Sequence, residues 1–105
     1  MRNASFQTYT FIESIMEPTE VLHKTTYVWK EEKDFTIVIK SDGEKVILNK
    51  TDTIIWKNIN DDDSVQEIFI KLSDVFTYEK LCNRLNEFVK IGIITNKDMF
   101  WGDDL

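Results

Sequence analysis

Three short segments between residues 25 and 48 are rich in β-branched and aromatic residues and are separated by polar turns. They comprise residues 25–30, 35–40 and 44–48, and their composition favours β-strands. The dipeptide Asp42-Gly43 lies between the second and third segments, where a glycine supplies the positive φ angle that a tight hairpin requires. The pattern therefore predicts an antiparallel meander of three strands.

After the third predicted strand the apolar spacing changes from about two residues to about 3.6, which indicates helices. Asn49 is a candidate N-cap for a first helix, which ends before the acidic loop at residues 60–63. The segment Ser64-Val65-Gln66-Glu67 has the capping-box pattern and predicts the start of a second helix. We expect a third, longer helix to begin at Thr77 and to end at Gly92.

Strands followed by helices in one short chain predict an α+β fold, with a three-stranded antiparallel sheet followed by three helices. Three helices with a β-wing also suggest a winged helix-turn-helix arrangement. The length of 105 residues suffices for one hydrophobic core. We predict an N-terminal arm over residues 1–24, one domain over residues 25–95, and a C-terminal tail over residues 96–105.

The second and third predicted strands are apolar on both faces, since Ile37 and Ile39 alternate with Val38 and residues 46–48 are all apolar. An antiparallel sheet with one face in water normally alternates apolar with polar residues. The third strand of a meander is also an edge strand, whose unpaired backbone groups can accept another strand. Two occupants stay open from the residues alone: a bound peptide, or the N-terminal arm of the same chain.

The charge balance limits the classes of partner. Thirteen Lys and Arg residues against nineteen Asp and Glu residues give a net charge of −6, which disfavours nucleic acid and anionic membranes. The same charge favours approach of a basic partner, such as a Lys-rich peptide. The single cysteine, Cys82, makes no internal disulfide, which suits a reducing, cytoplasmic compartment.

Few residues are suited to catalysis. His23 lies in a polar stretch, and Cys82 lies on the apolar stripe of the third helix, where we expect a small buried hydrophobe. The run Asp61-Asp62-Asp63 lacks the glycine and distal glutamate of a calcium loop, and its position before a helix is explained by the helix dipole. We therefore predict a non-enzyme with no catalytic residues, no metal and no cofactor.

Residues 46–56 carry a recognisable motif, Val46-Ile47-Leu48-Asn49-Lys50-Thr51-Asp52-Thr53-Ile54-Ile55-Trp56. It resembles the leucine-asparagine-x-threonine … isoleucine-tryptophan signature of the PqqD-like proteins. Residues 85–94 are similar to the helix of that family that ends in glycine followed by two aliphatic residues. The resemblance covers about residues 25–95 and implies a RiPP recognition element. This winged-helix domain captures the leader of a ribosomally synthesised, post-translationally modified precursor peptide.

The resemblance also implies where a leader would bind. In the family the leader adds as an extra strand in a cleft between the third strand and the third helix. It is presented there to a radical-SAM enzyme, a cyclase or a leader protease. Carried onto this sequence, the strand would be Lys45, Val46, Ile47 and Leu48, and the helix would contribute Cys82, Leu85, Asn86 and Val89. The spacing leaves open which face of the helix lines the cleft.

Two other functions stay open from the sequence. A structural or immunity-type subunit could dock on a folded partner through the apolar sheet. A DNA-binding winged helix would need a basic recognition helix, whereas the third helix offers Lys80, Arg84 and Lys90 against Glu79 and Glu87. A monomer and a dimer are both compatible with the sequence, because an exposed edge strand allows exchange of the arm between chains.

Overall fold

The computed structural model describes residues 16–96, so most of the predicted arm and residues 97–105 of the predicted tail lie outside the described residues. The strands of the described part are β1 (Val21–Lys24), β2 (Val28–Glu31), β3 (Thr36–Ile39), β4 (Lys45–Leu48), β5 (Asp63–Ser64) and β6 (Ile94–Thr95). Its helices are α1 (Lys50–Lys57), α2 (Val65–Leu72) and α3 (Tyr78–Ile91). The predicted α+β class, with a three-stranded antiparallel sheet and three helices, is confirmed in these residues.

The predicted meander is present as the antiparallel sheet β2-β3-β4. Val38 in the central strand pairs with Trp29 on one side and with Val46 on the other. Gly43 has a φ angle of 91°, which confirms its predicted role in the hairpin between β3 and β4. Each strand has four residues, fewer than the segment from which it is predicted, and β2 extends one residue beyond its segment to Glu31.

A second antiparallel sheet, in the order β5-β1-β6, has no counterpart in the sequence prediction. Val21 of β1 pairs with Ser64 of β5, and Lys24 pairs with Ile94 of β6. The partners are two-residue strands from distant parts of the chain, so no local alternation marks them. Residues 21–24, predicted to belong to an arm, are instead the central strand of this sheet.

The predicted helix ends agree with the structure. The Asn49 side chain accepts a hydrogen bond from the N–H of Asp52 at 2.8 Å and caps α1. Ser64 and Glu67 form the full capping box of α2. Thr77 caps α3, and Gly92 ends it in the left-handed region with a φ angle of 96°. Each of these positions depends on local hydrogen bonding, which is why the sequence predicts them.

The core lies between the two sheets and the helices and is centred on aromatic side chains. Trp56 packs edge-to-face against Trp29 and Phe88, with ring centroids 6.3 and 6.4 Å apart. Lys24 Nζ lies 4.3 Å from the centroid of the Trp56 ring, a cation–π contact, and burial lowers the pKa of Lys24. These contacts join β1, β2, α1 and α3 into one packed unit.

Candidate functional site

Strand β4 is an open edge of its sheet, since among the described residues it pairs only with β3. The N–H of Lys40 donates to the carbonyl of Glu44 at 2.9 Å, which marks these two residues as a hydrogen-bonded pair. Such pairs alternate along an antiparallel ladder, so Val46 bonds towards β3. The N–H and C=O groups of Lys45 and Ile47 consequently point away from the sheet. The edge presents two residues' worth of backbone donors and acceptors.

The four side chains of β4 divide between the two faces of the sheet. Leu48 is buried in the core, and Val46 is half-buried against it. Lys45 is exposed, and Ile47 is 60% exposed. The sequence-predicted strand residues are therefore together on the open edge, with two of them available on the surface.

The surface of the sheet that faces away from the core is largely apolar. We call it the outer face, and the pairing register assigns to it Val28, Lys30, Ile37, Ile39, Lys45 and Ile47. Val28 is 59% exposed, and together with other residues of β2 and β3 and with Lys45 of β4 it lines a shallow cavity of about 220 Å³. The alternation in the sequence indicates two apolar faces, but only the register shows that Val28 belongs to the exposed one.

Two contacts orient α3 relative to the β3–β4 hairpin and α1. Arg84 donates from Nε and Nη2 to the two carboxylate oxygens of Asp52, both at 2.9 Å, at the start of α1. At the other end of the helix, the Lys40 side chain lies beside Gly92, where an added Cβ would be in ordinary van der Waals contact with Lys40 Cε at 3.4 Å. Ile91 is seven residues from Arg84 and so shares its face of the helix. Neither Arg84 nor Ile91 is among the helix residues predicted to line the cleft.

Two of the four helix residues predicted to line the cleft are inside the molecule. Cys82 and Leu85 are buried in the core and are not available to a ligand at the surface. Tyr78, one turn before Cys82, donates from its hydroxyl to the Met16 carbonyl at 2.8 Å. Burial and a hydrogen bond with Cys82 raise the pKa of Tyr78 to about 12. The structure therefore places Cys82 towards Tyr78 and the core.

The remaining two helix residues, Asn86 and Val89, are half-buried. Val89 packs against the hydrophobic core. Neither lies on the face of α3 that carries Arg84, because their spacing from it turns them towards the Cys82 side. The structure therefore brings the four β4 residues together and buries two of the four predicted helix residues, Cys82 and Leu85, in the core.

The three consecutive aspartates at residues 61–63 interact with groups of the protein itself. The Asp61 carboxylate accepts a hydrogen bond from the Tyr27 hydroxyl. The Asp62 carboxylate lies 3.3 Å from Nδ1 of His23, and the Asp63 carboxylate lies 2.9 Å from Nζ of Lys71. The hydrogen bond to Asp61 raises the pKa of Tyr27. Within residues 16–96, no group of three His, Cys, Asp or Glu side chains is arranged to hold a metal ion. The loop is thus accounted for by internal contacts.

Two of the three cations of α3 have carboxylate partners on the protein. Arg84 is paired with Asp52, and Lys90 lies 3.7 Å from Glu87. A recognition helix for nucleic acid needs free cations directed at phosphates. The pairing leaves little positive charge for that purpose.

Over the part of the chain that the structure describes, no helix is both long enough and apolar enough to cross a membrane. No protein-family model, no curated protein and no solved structure matches this chain. The open edge of β4 and the outer face are the features of the described residues that bear on function.

Proposed function

We propose that this chain is a non-catalytic, cytoplasmic peptide-binding protein. It captures the leader of a ribosomally synthesised, post-translationally modified precursor by strand addition at β4. It then presents the precursor to a modifying enzyme, such as a radical-SAM enzyme or a cyclase, or to a leader protease. The observation that carries the proposal is the open edge, where the backbone groups of Lys45 and Ile47 face outwards.

The edge supports peptide capture for three physical reasons. Outward N–H and C=O groups give a peptide backbone its partners whatever its sequence. The exposed Ile47 offers apolar surface to the side chain opposite it. The half-buried Val46 offers a contact on the other face, next to the core. The resemblance of residues 46–56 to the PqqD-like signature points to the same strand.

The test is a titration of the isotope-labelled chain with synthetic leaders of precursors that are encoded beside its gene. Binding is detected through the chemical shifts of the backbone amides. We expect the largest shifts in β4 and on the Arg84 face of α3. The absence of any shift in β4 with every such leader would contradict the proposal.

A proline substitution makes the titration specific for the backbone. Ile47→Pro removes an N–H that points outwards, so the ladder to β3 is kept, as is usual for proline on edge strands. We expect leader affinity to fall about tenfold through the lost hydrogen bond, while the circular dichroism spectrum is unchanged. Ile47→Ala, which keeps the N–H, is the matched control and should weaken binding less.

The outer face supports a second candidate, a structural or immunity-type subunit that docks on a folded protein. Exposed apolar surface of this kind is typical of protein interfaces. Val28 separates the two functions, because it lies on β2, at the opposite edge from β4. Val28→Lys should disrupt docking of a folded partner, measured by co-elution, and should leave leader binding at β4 intact.

A further inference from the structure

Lys45 is a cation on the open edge that has no carboxylate partner among the described residues. The neighbouring cations do have partners: Lys30 Nζ lies 3.6 Å from Glu32, and Lys40 Nζ lies 3.0 Å from Glu44. The Lys45 side chain is exposed and lies on the outer face, opposite Ile39 of β3. A carboxylate that joined the sheet beside it would gain a cross-strand ion pair.

The pairing register defines what a further strand would meet on the outer face. The residues there form two cross-strand rows, Val28–Ile39–Lys45 and Lys30–Ile37–Ile47. A strand added at β4 extends each row by one side chain. The first row then ends in a residue opposite Lys45, and the second ends in a residue opposite Ile47. These two positions differ in chemistry, so the edge distinguishes between peptide sequences.

We propose that the captured segment is an antiparallel strand with an aliphatic residue opposite Ile47 and an acidic residue opposite Lys45. This inference rests on the proposed function and names its ligand class. Every pair in the sheet is antiparallel, which favours the same direction for the added strand. From its N-terminus the peptide therefore has an aliphatic residue opposite Ile47, an apolar residue opposite Val46 and an acidic residue opposite Lys45.

The net charge of −6 is compatible with an acidic residue at this one position. Beyond about 10 Å the charges of the whole chain are screened at 0.1 M salt, whereas a cross-strand pair is in direct contact. Basic residues elsewhere in a precursor would still be attracted to the chain. The acidic residue identifies the segment that pairs with β4.

A second copy of this chain fits the edge less well than such a peptide. If two β4 strands paired about a two-fold axis at Val46, each Lys45 would lie opposite Ile47 of the other copy. The ammonium group would then have an apolar neighbour in place of a carboxylate, which forfeits the favourable cross-strand pair. A peptide with the acidic residue satisfies both positions.

The experiment uses a library of random twelve-residue peptides displayed on phage, selected separately on three forms of the full chain. These are the unmodified chain, Lys45→Glu, and Lys33→Glu as the matched control. Lys33 is an exposed cation in the β2–β3 turn, so its substitution makes the same change in net charge away from β4. Amide shifts then establish which of the selected peptides bind at β4.

We expect the unmodified chain and Lys33→Glu to enrich an acidic residue directly after two apolar residues. Lys45→Glu should enrich lysine or arginine there. A selected acidic peptide should bind Lys45→Glu about fivefold more weakly, and reversing the charge on the peptide should restore its affinity. Peptides that bind β4 with no charge preference would overturn this inference and leave the proposed function standing. If no peptide binds β4, or if β4 is occupied by a second copy, both are overturned.

Discussion

At the residue scale, the contact between Asp52 and Arg84 links the start of α1 to the middle of α3. The Asp52 side chain is buried, and both of its oxygens accept from the guanidinium. A carboxylate in this position is stable only while it has such partners. The pair therefore contributes to stability chiefly because removing either partner leaves the other unsatisfied.

This contact gives the first prediction. Arg84→Met should lower the free energy of unfolding by about 2 kcal/mol, since it strands the Asp52 carboxylate in a buried site. The measurement is chemical denaturation followed by circular dichroism. Lys80→Met, one turn earlier on α3, removes an exposed cation and should change stability by less than about 0.5 kcal/mol. Equal effects of the two substitutions would show that the ion pair is not formed in solution.

The raised pKa of Tyr78 makes the stability of the fold depend on pH. Its pKa is raised to about 12, mainly by burial, whereas in the unfolded chain it titrates at the ordinary value of 10.0. The unfolded state therefore loses the proton first, so the stabilising effect is complete below pH 10 and is lost as the pH rises to about 12. Stability measured across this range should fall less steeply for Tyr78→Phe. Parallel curves for the two proteins would contradict the assignment.

Residues that interact with their own chain neighbours can be predicted from the sequence alone. The caps Asn49, Ser64 and Thr77 need only a backbone N–H two or three residues away, so they are visible in the sequence. The apolar stripe likewise predicts Cys82 as a buried hydrophobe, and the structure confirms this. Its assignment to a cleft came from the family resemblance, and an apolar stripe that packs in the core cannot also line an open surface.

At the scale of elements, two glycines determine how a helix and a hairpin end. Gly92 and Gly43 have φ angles of 96° and 91°, a region that costs other residues about 1–2 kcal/mol. Gly92 also lies against the Lys40 side chain, whereas Gly43 faces open space. The two positions share the same backbone requirement and differ in their surroundings.

A further prediction for stability compares these glycines. Gly43→Ala should lower the free energy of unfolding by about 1 kcal/mol through the backbone term alone. Gly92→Ala should lower it by about the same amount, because the added methyl group would make only ordinary van der Waals contact with the Lys40 side chain. Thermal denaturation measures both. An unchanged melting temperature for Gly43→Ala would mean that the hairpin does not hold its glycine at positive φ.

The sequence predicts the elements whose pattern lies within their own segment. It does not predict the elements that form by pairing between distant parts of the chain. Helix α3 and the strands β2 to β4 follow from apolar spacing and turn residues within their own segments. Strands β5 and β6 have two residues each, and β1 exists because both of them pair with it. No short window of the sequence shows which distant residues pair with β1. The same limit applies to the site, since the edge of β4 was predicted but the orientation of α3 depends on remote contacts.

At the scale of the whole molecule, β1 makes residues 21–24 part of the fold. Leu22 is fully buried, and its neighbour Val21 is 38% exposed. Leu22→Ala should therefore lower the free energy of unfolding by about 2–5 kcal/mol. Val21→Ala, the adjacent control, should lower it by less than about 1 kcal/mol. Chemical denaturation measures both losses of unfolding free energy. Similar losses for the two variants would mean that β1 is not packed in the core.

The net charge gives a kinetic prediction for leader capture. A chain with a charge of −6 attracts a basic peptide over distances that salt screens. Raising the ionic strength from low to physiological values should slow association of a Lys-rich leader by about tenfold. The dissociation rate should change little, because short contacts at β4 hold the complex. Stopped-flow fluorescence resolves the two rates. An effect of ionic strength on the dissociation rate alone would contradict electrostatic steering.

The alternation along β4 has a consequence for how such a binding edge can evolve. Lys45 and Ile47 supply both the outward backbone groups and the outward side chains, while Val46 and Leu48 serve the fold. Substitutions at the first two residues can change peptide preference without loss of stability, provided that the backbone N–H is kept. Related chains could therefore diverge in the precursors they capture by changing two codons, with the scaffold conserved.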